Sequence, residues 1–558
     1  MFMKNPPLFE AHVPSRNHTT RFLIWFGILI LQVLLSSNGW ANVYATNLRF
    51  NGGTTNLTVP ALTNINISYI LNEPASGVTI TINSGATTVR MIALTNPSPG
   101  TLRGTNLVAW DGKDNNGTNV GAGTYSVSIT AATDGYEDWT QISDDANPGN
   151  YVWEGRGIAV NKNPGSPYYG RVFVANSHGG PNENSTSGDT VGILKLNADG
   201  SPADETIESG FWNSTGGWLW AGDYYSPWKL EVSDDDKVYV NDFTGNGIVL
   251  SFDQTIAPAS RQIVLNTNNY PSPTVGLSGP FITGTGPNTL VWMADKDGGY
   301  GIRRWQVGTN GSVATNDVGT TIVKAGSGSD LNKAPFDVAV DRSNRIYTIQ
   351  QTLLAGDLAY RVFRFPSYGG TIETNADWKI GNADDTFEGA HGVAVDPAGR
   401  YLAVAFIGDG NIGAVQFGST RVFETTNGTA VTTLLPSGNH DHRDVTWDSV
   451  GNLYTIDNLD STWRTYSPPG TNQATTTATV TVQIGGSGTP IILSAPSRTG
   501  GQFQFTLNGQ ADVSYIIQAS TNLLNWEAVA TNVSANATRI ISVNAPGTLS
   551  YYRAQVGP

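Results

Sequence analysis

The sequence predicts an all-β chain in three β-rich regions, the middle one a ring of six repeated units. Three observations carry this. Charged residues make up only 14% of the 558 residues while glycine reaches 64, a balance that suits short strands joined by tight turns. Apolar residues alternate with polar ones in "GVTITINSG" and "TYSVSITA", placing Val78, Ile80 and Ile82, then Tyr125, Val127 and Ile129, on single faces. Through the middle of the chain a strand–turn–strand unit recurs, with centres at Ile282, Ala339, Ala394 and Thr446, that is 57, 55 and 52 residues apart. Periods near fifty with several short strands each are the mark of propeller blades.

The N-terminus stands outside this pattern. Lys4, Arg16 and Arg21 precede the apolar run "FLIWFGILILQVLL", and small residues follow at Gly39 and Ala41 or at Val43 and Ala45. The run is short for a membrane span of roughly 20 residues. Residues 1–41 therefore read as a secretory signal peptide, and the mature chain is expected outside the cell or at its envelope, without a membrane span.

Removing that leader takes away three basic residues and one acidic one, so the net charge moves from −14 to −16. An acidic, lysine-poor chain argues against nucleic acid and anionic membranes as partners. The chain has no cysteine, which excludes thiol nucleophiles and cysteine-based zinc sites. Only His178, His391, His440 and His442 remain for histidine chemistry, and His178 reads as an exposed loop residue.

The first region, 46–137, holds the two alternating stretches with "AWDGKDNNGTNVGAGTYSVSI" between and across them. Asp111, Asp114, Asn115 and Asn116 suggest a calcium loop, but their spacing is not that of an EF-hand and a polar hairpin explains them better. This stretch resembles the immunoglobulin-like domain of FlgD-like hook-capping proteins. The resemblance implies a β-sandwich that joins or extends neighbouring modules, and such modules are reused at many bacterial surfaces.

The second region, 147–484, carries "GRGIAVNKNPGSPYYGRVFVANS", "PWKLEVSDDDKVYVND", "PFDVAVDRSNRIYTIQ", "AHGVAVDPAGRYLAVA" and "HRDVTWDSVGNLYTID", with a weaker unit from Gly279. The turns start on Ser233, Asp341, Asp396 or Asp448, whose side chains can bond the backbone ahead. They end on Asp236, Asn344, Gly399 or Gly451, types that tolerate a left-handed backbone. These aspartates are turn formers before anything else. The pattern resembles the NHL and gluconolactonase-like propellers, and "SPPGTNQATTTATVTVQI" is expected to supply the strand that closes the ring. "GGSGTP" (485–490) reads as a linker. The strand-rich segment 491–558 resembles C-terminal β-modules of secreted bacterial proteins and is expected to form a small β-sandwich used for attachment.

In a propeller the residues just before each innermost strand gather round one mouth of the central channel. Aligning the repeats puts Arg156, Trp228, Phe336, His391 and Arg443 in one column, and Gly157, Lys229, Asp337, Gly392 and Asp444 in the next. Arg156, Trp228, Asp337, His391, Arg443 and Asp444 are the candidate ligand-binding set at that mouth. His440 and His442 lie beside it, so a zinc site from His391, His440 and His442 is one expectation, although an i, i+2 pair in extended chain points to opposite faces. "AHGVAVD" resembles the histidine-bearing blades of peptidyl-amidoglycolate and streptogramin lyases, which implies a histidine from several blades at this column. Here only His391 occupies it. Gluconolactonase-like enzymes imply calcium held by a channel glutamate and asparagines, for which Glu154 is the one candidate.

A separate feature is "FWNSTGGWLWAGDYYSPW", which holds Trp212, Trp218, Trp220, Tyr224 and Tyr225. Aromatic faces with polar edges form platforms for sugar rings when exposed, and they form core when buried. Burial against the propeller is the reading favoured for this stretch.

Together these features predict an exported modular protein that recognises a glycan or a cell-surface protein through its propeller. No cofactor is assured, with zinc or calcium as candidates. The alternatives are a metal-dependent lyase or lactonase at the channel mouth, centred on His391, Asp337, Asp444, His440 and His442, and an architectural spacer in a surface assembly.

Overall fold

The computed structural model describes residues 42–556, apart from 54–56, 61–63, 122, 183–184, 190, 204–216, 221–224, 244–246, 268–275, 296–300, 333, 351–359, 382–388, 408–417, 435–439, 479–481, 486–491, 500, 510–512, 524, 535–537 and 545–550. The leader, Trp212, Tyr224 and all of the linker but Gly485 lie outside the described residues. Strands are the dominant regular structure of the described chain, with only short 3-10 turns beside them.

Two facing sheets make the N-terminal sandwich. Ala45–Phe50, Ile65–Leu71 and Gly104–Trp110 form one, and Thr87–Thr95, Gly77–Ser84 and Ser126–Tyr136 lie in the other. The period-two pattern explains the packing, since Val78, Ile80, Ile82, Val127 and Ile129 all turn inward against Ile67, Tyr69 and Trp110. In the acidic hairpin the Asp114 carboxylate accepts from the Asn116 and Thr118 amides at 2.9 and 2.8 Å, so it is a turn former.

The fourth strand of the second sheet comes from far downstream. Gly470–Ala478 pairs antiparallel with Ser126–Tyr136, and Val482–Gly485 pairs parallel with Leu57–Pro60. The stretch expected to close the ring therefore completes the sandwich instead, and the propeller is inserted within it. Gly470–Ala478 is threonine-rich, and Thr130 Oγ1 meets Thr475 Oγ1 at 2.9 Å across the antiparallel pair.

Six sheets form the propeller. Blade 1 is Gly155–Val160, Val172–Asn176 and Gly192–Leu196; blade 2 is Leu230–Val232, Val238–Asp242, Ile248–Phe252 and Gln262–Asn266. Blade 3 runs from Leu277–Thr283 to Thr320–Val323, blade 4 from Pro335–Val340 to Trp378–Ile380, and blade 5 from Ala390–Val395 to Ala430–Leu434. Blade 6 has His442–Trp447, Leu453–Asp457 and Thr462–Ser467, and its outer strand is Thr140–Gln141 from the start of the insertion. That short segment closes the ring, and the inner strand of blade 6 packs against that of blade 1. Closure removes the open edge that would otherwise invite association.

The turns follow their chemistry. Asp341, Asp396 and Asp448 each accept from backbone amides of their own turn, and Asp236, Asn344, Gly399 and Gly451 have φ of 64°, 59°, 70° and 94°. The sandwich rests on blades 1 and 6. There the Asn452 side chain donates to the Asn42 carbonyl at 2.7 Å and Arg103 donates to the Asp199 carbonyl at 2.9 Å.

The C-terminal region forms two three-stranded sheets, Ile492–Thr499, Gln502–Asn508, Thr538–Asn544 and Glu527–Ser534, Val513–Ser520, Tyr551–Val556. They enclose Phe505, Leu507, Tyr515, Ile517, Ile541 and Val543.

Candidate functional site

The mouth of the channel is built by a backbone device repeated in four blades. In blade 4, Pro335 pairs with Gln350 and Asp337 with Ile349, so Phe336 is the extra residue of a β-bulge. The same shift isolates His391 in blade 5, Arg443 in blade 6 and Arg156 in blade 1. A bulge bends the strand and re-aims the unpaired side chain. The column read from the repeats is thus the set of residues turned into the mouth, joined by Trp228 just before the inner strand of blade 2.

Aromatic rings floor this mouth. Trp228 stacks on Phe243 with centroids 4.8 Å apart, and His391 lies 5.2 Å from Trp228 and 4.4 Å from Phe336. His391 is 1% exposed and both its nitrogens are engaged. Nδ1 lies 3.0 Å from the Arg443 carbonyl and Nε2 lies 3.3 Å from an Arg443 guanidinium nitrogen. A neutral ring that donates from Nδ1 and accepts at Nε2 satisfies both contacts. Burial first, then the nearby Arg443 and Lys229 charges, push its pKa well below the ordinary histidine range.

One level deeper the second column splits into glycines and charges. Gly157, Gly279 and Gly392 leave room that a side chain would fill: a Cβ on Gly279 would fall 1.9 Å from Asp337 Oδ1, and one on Gly157 would fall 2.4 Å from the Trp228 carbonyl oxygen. Lys229 reaches across the channel, its Nζ 2.7 Å from Asp337 Oδ2 and 2.7 Å from Asp444 Oδ1. Each carboxylate also takes an amide from the next blade round, Val393 to Asp337 and Ile158 to Asp444, both at 3.0 Å. All three side chains are buried. The one cation is shared by the two carboxylates, and their bonds tie blades 1, 2, 4, 5 and 6 together, so the centre of the channel is a seal. Burial holds the Asp444 carboxyl up, to about 6, against the opposing pull of Lys229.

What faces outward is polar and aromatic. Tyr225 is 44% exposed and meets Trp228 edge-on at 5.8 Å. The Arg156 guanidinium lies 5.8 Å from both rings and bonds Glu154 at 3.0 Å. Arg443 pairs with Asp441 beside it.

The three histidines expected to share a metal part company. His391 belongs to the mouth, whereas His440 and His442 converge on Asp457 in blade 6, with ring centroids 5.9 Å apart. The opposite-faces expectation fails because His440 precedes the strand and His442 is its first residue, so the chain between them is not regularly extended. Sequence reasoning passed over Asp457 and placed Lys229 in the second column without a role, because a strand-end aspartate and a single lysine show no partner until the ring closes.

Of the aromatic stretch, Trp220 is buried in the core between blades 1 and 2, and Trp218 packs against that core while donating to Asp242 Oδ2 at 2.9 Å. Of the described members, Tyr225 and Trp228 reach the mouth. His178 is half-buried rather than exposed.

Residues 54–135 match the model of the FlgD Ig-like domain family, where the resemblance was drawn. No curated protein matches the chain. Among solved structures, a streptogramin B lyase is similar at 13% identity, with 59% of this chain and 97% of that one covered and a TM-score of 0.34. The soluble aldose sugar dehydrogenase of Escherichia coli is similar at 11% identity, covering 59% and 99%, with a TM-score of 0.35. A gluconolactonase of Xanthomonas campestris is similar at 14% identity, covering 50% and 81%, with a TM-score of 0.26. Among the described residues no helix is long and apolar enough to cross a membrane.

Proposed function

We propose that this is an exported recognition protein that binds a glycan or a cell-surface protein over the mouth of its propeller. One observation carries the reading. The groups that acid–base chemistry would need free, Asp337, Asp444 and His391, are committed to Lys229 and Arg443, while above them Tyr225 is exposed, Arg443 and Asp441 are partly exposed, and the buried Arg156 holds a partly exposed Glu154. An exposed aromatic face flanked by charge-assisted donors and acceptors suits a sugar ring or a polar peptide. Among the described residues of the mouth, the candidate bases are each held by a cation.

The sandwich and the C-terminal module then act as the mount. Because the propeller is inserted in the sandwich, the chain enters and leaves the ring on the sandwich side. The test is a glycan and peptide array probed with the wild-type protein and with Tyr225→Ala. Ligands retained by the wild type and lost by the variant support the reading. Turnover of a lactone or lyase substrate that survives Tyr225→Ala would overturn it.

A further inference from the structure

We propose that His440, His442, Asp457 and Asp460 bind a divalent transition-metal ion on the rim of blade 6, with zinc the ion this donor set fits best. The site is separate from the mouth and does not depend on the ligand reading.

Two imidazoles and two carboxylates converge there from three successive pieces of chain. His440 precedes the inner strand, His442 begins it, Asp457 ends the second strand, and Asp460 follows in the turn. His440 Nδ1 lies 2.7 Å from Asp457 Oδ2 and 3.1 Å from Asp460 Oδ2, and His442 Nε2 lies 3.6 Å from the same Asp457 oxygen. Four ligands at zinc bond lengths stand about 3.3 Å apart, and these three separations bracket that value.

The His442 ring is aimed for this. Its Nδ1 sits 2.7 Å from Thr420 Oγ1 and 3.1 Å from Thr455 Oγ1, which fixes the ring and turns Nε2 toward Asp457. A hydroxyl or carbonyl on the far nitrogen is how a ligating imidazole is oriented. Nε2 itself is fully buried with no hydrogen-bond partner among the described residues, and 3.6 Å is too long for a bond to the carboxylate.

Charge points the same way. Arg464 alone holds Asp145, Asp457 and Asp460, at 2.9, 3.1 and 2.8 Å. Three carboxylates against one guanidinium leave a local excess of negative charge, which a divalent ion offsets. Carboxylate oxygens accept more than one partner, so Arg464 stays as an outer partner of the ligands. Mixed nitrogen and oxygen donors in four-fold arrangement select zinc over calcium or magnesium, which take oxygen sets. The ion would clamp the rim, because Asp457 Oδ1 also takes the amide of Asp441, whose side chain holds Arg443 at the mouth.

The experiment is a calorimetric titration of the purified, EDTA-stripped protein with zinc chloride, with unfolding temperature followed alongside. The expected result is one equivalent bound, a raised unfolding temperature, and a visible absorption band of four-coordinate cobalt when cobalt replaces zinc. Thr420→Val should weaken binding about 10- to 100-fold, and His442→Gln should abolish it. Should His442→Gln fail to fold, Asp460→Asn, at a side chain one-third exposed, decides with at least a tenfold loss. Wild-type protein that takes up no zinc, that prefers calcium or magnesium, or whose binding is unchanged in Asp460→Asn and Thr420→Val overturns the proposal.

Discussion

Lys229 Nζ stands 2.7 Å from Asp337 Oδ2 and 2.7 Å from Asp444 Oδ1, so one lysine from blade 2 holds an aspartate from blade 4 and another from blade 6 across the channel. This makes the centre of the ring a structural element, and the predictions below follow from it and from the contacts around it.

Removing the lysine leaves two carboxylates buried with no cation between them. Lys229→Met is predicted to cost about 3–5 kcal/mol of stability, the usual result of breaking a buried pair from one side. Replacing all three residues with apolar ones of similar volume should cost much less. Denaturant unfolding of the single and triple variants checks this, and a single variant within about 1 kcal/mol of wild type would contradict the seal.

His391→Ala should behave as a core mutation. It opens a cavity between Trp228 and Phe336 and strips Arg443 of a partner, for a predicted loss of about 2–4 kcal/mol. Metal content should not change, since both His391 nitrogens are spent on Arg443. Elemental analysis beside a melting curve separates the two effects.

The column holding His391 was legible because the repeats align, and a bulge at the same place in four of the blades needs only that alignment. Its partners were not. Nothing in "PWKLEV" says that Lys229 crosses the ring, since the distance to Asp337 and Asp444 exists only after closure. The closing strand was misread for a related reason. Thr140–Gln141 and Gly470–Ala478 are both short of apolar residues, so neither carries a burial pattern that assigns it to a sheet, and adjacency in sequence favoured the wrong one. Trp218 and Trp220 were correctly expected to pack, because large rings beside a strand-rich core have more to gain buried than exposed.

Completion of the sandwich from downstream has its own consequence. Residues 42–137 produced alone should be aggregation-prone, with the edge of Ser126–Tyr136 open. Addition of a peptide spanning 470–485 should restore a cooperative transition. A stable, monomeric 42–137 fragment would show that the downstream strand is dispensable.

Stability should fall as pH rises through neutrality. Burial raises the Glu73 carboxyl to about 7 despite its bond to the Tyr136 hydroxyl, and burial likewise raises Asp448 to about 7. Both ionise near pH 4 when unfolded, so the unfolded chain sheds protons that the folded state keeps, and stability falls from roughly pH 4 until the folded groups ionise near pH 7, above which it levels off. The decline from pH 5 to 8 should be on the order of a few kcal/mol, and Glu73→Gln should flatten it. A stability profile that rises over this range, or one that Glu73→Gln leaves as steep, would contradict the assignment.

The most direct test of the recognition reading is the affinity of an array-selected ligand for the wild type, Tyr225→Ala and Lys229→Met, each measured by calorimetry on folded protein. The mouth should lose at least about tenfold in affinity with Tyr225→Ala, the scale of one central aromatic contact, while Lys229→Met changes stability far more than affinity. Full affinity in Tyr225→Ala, with ligand converted to product by the wild type and not by the Asp337→Asn variant, would mean the ring is an enzyme after all.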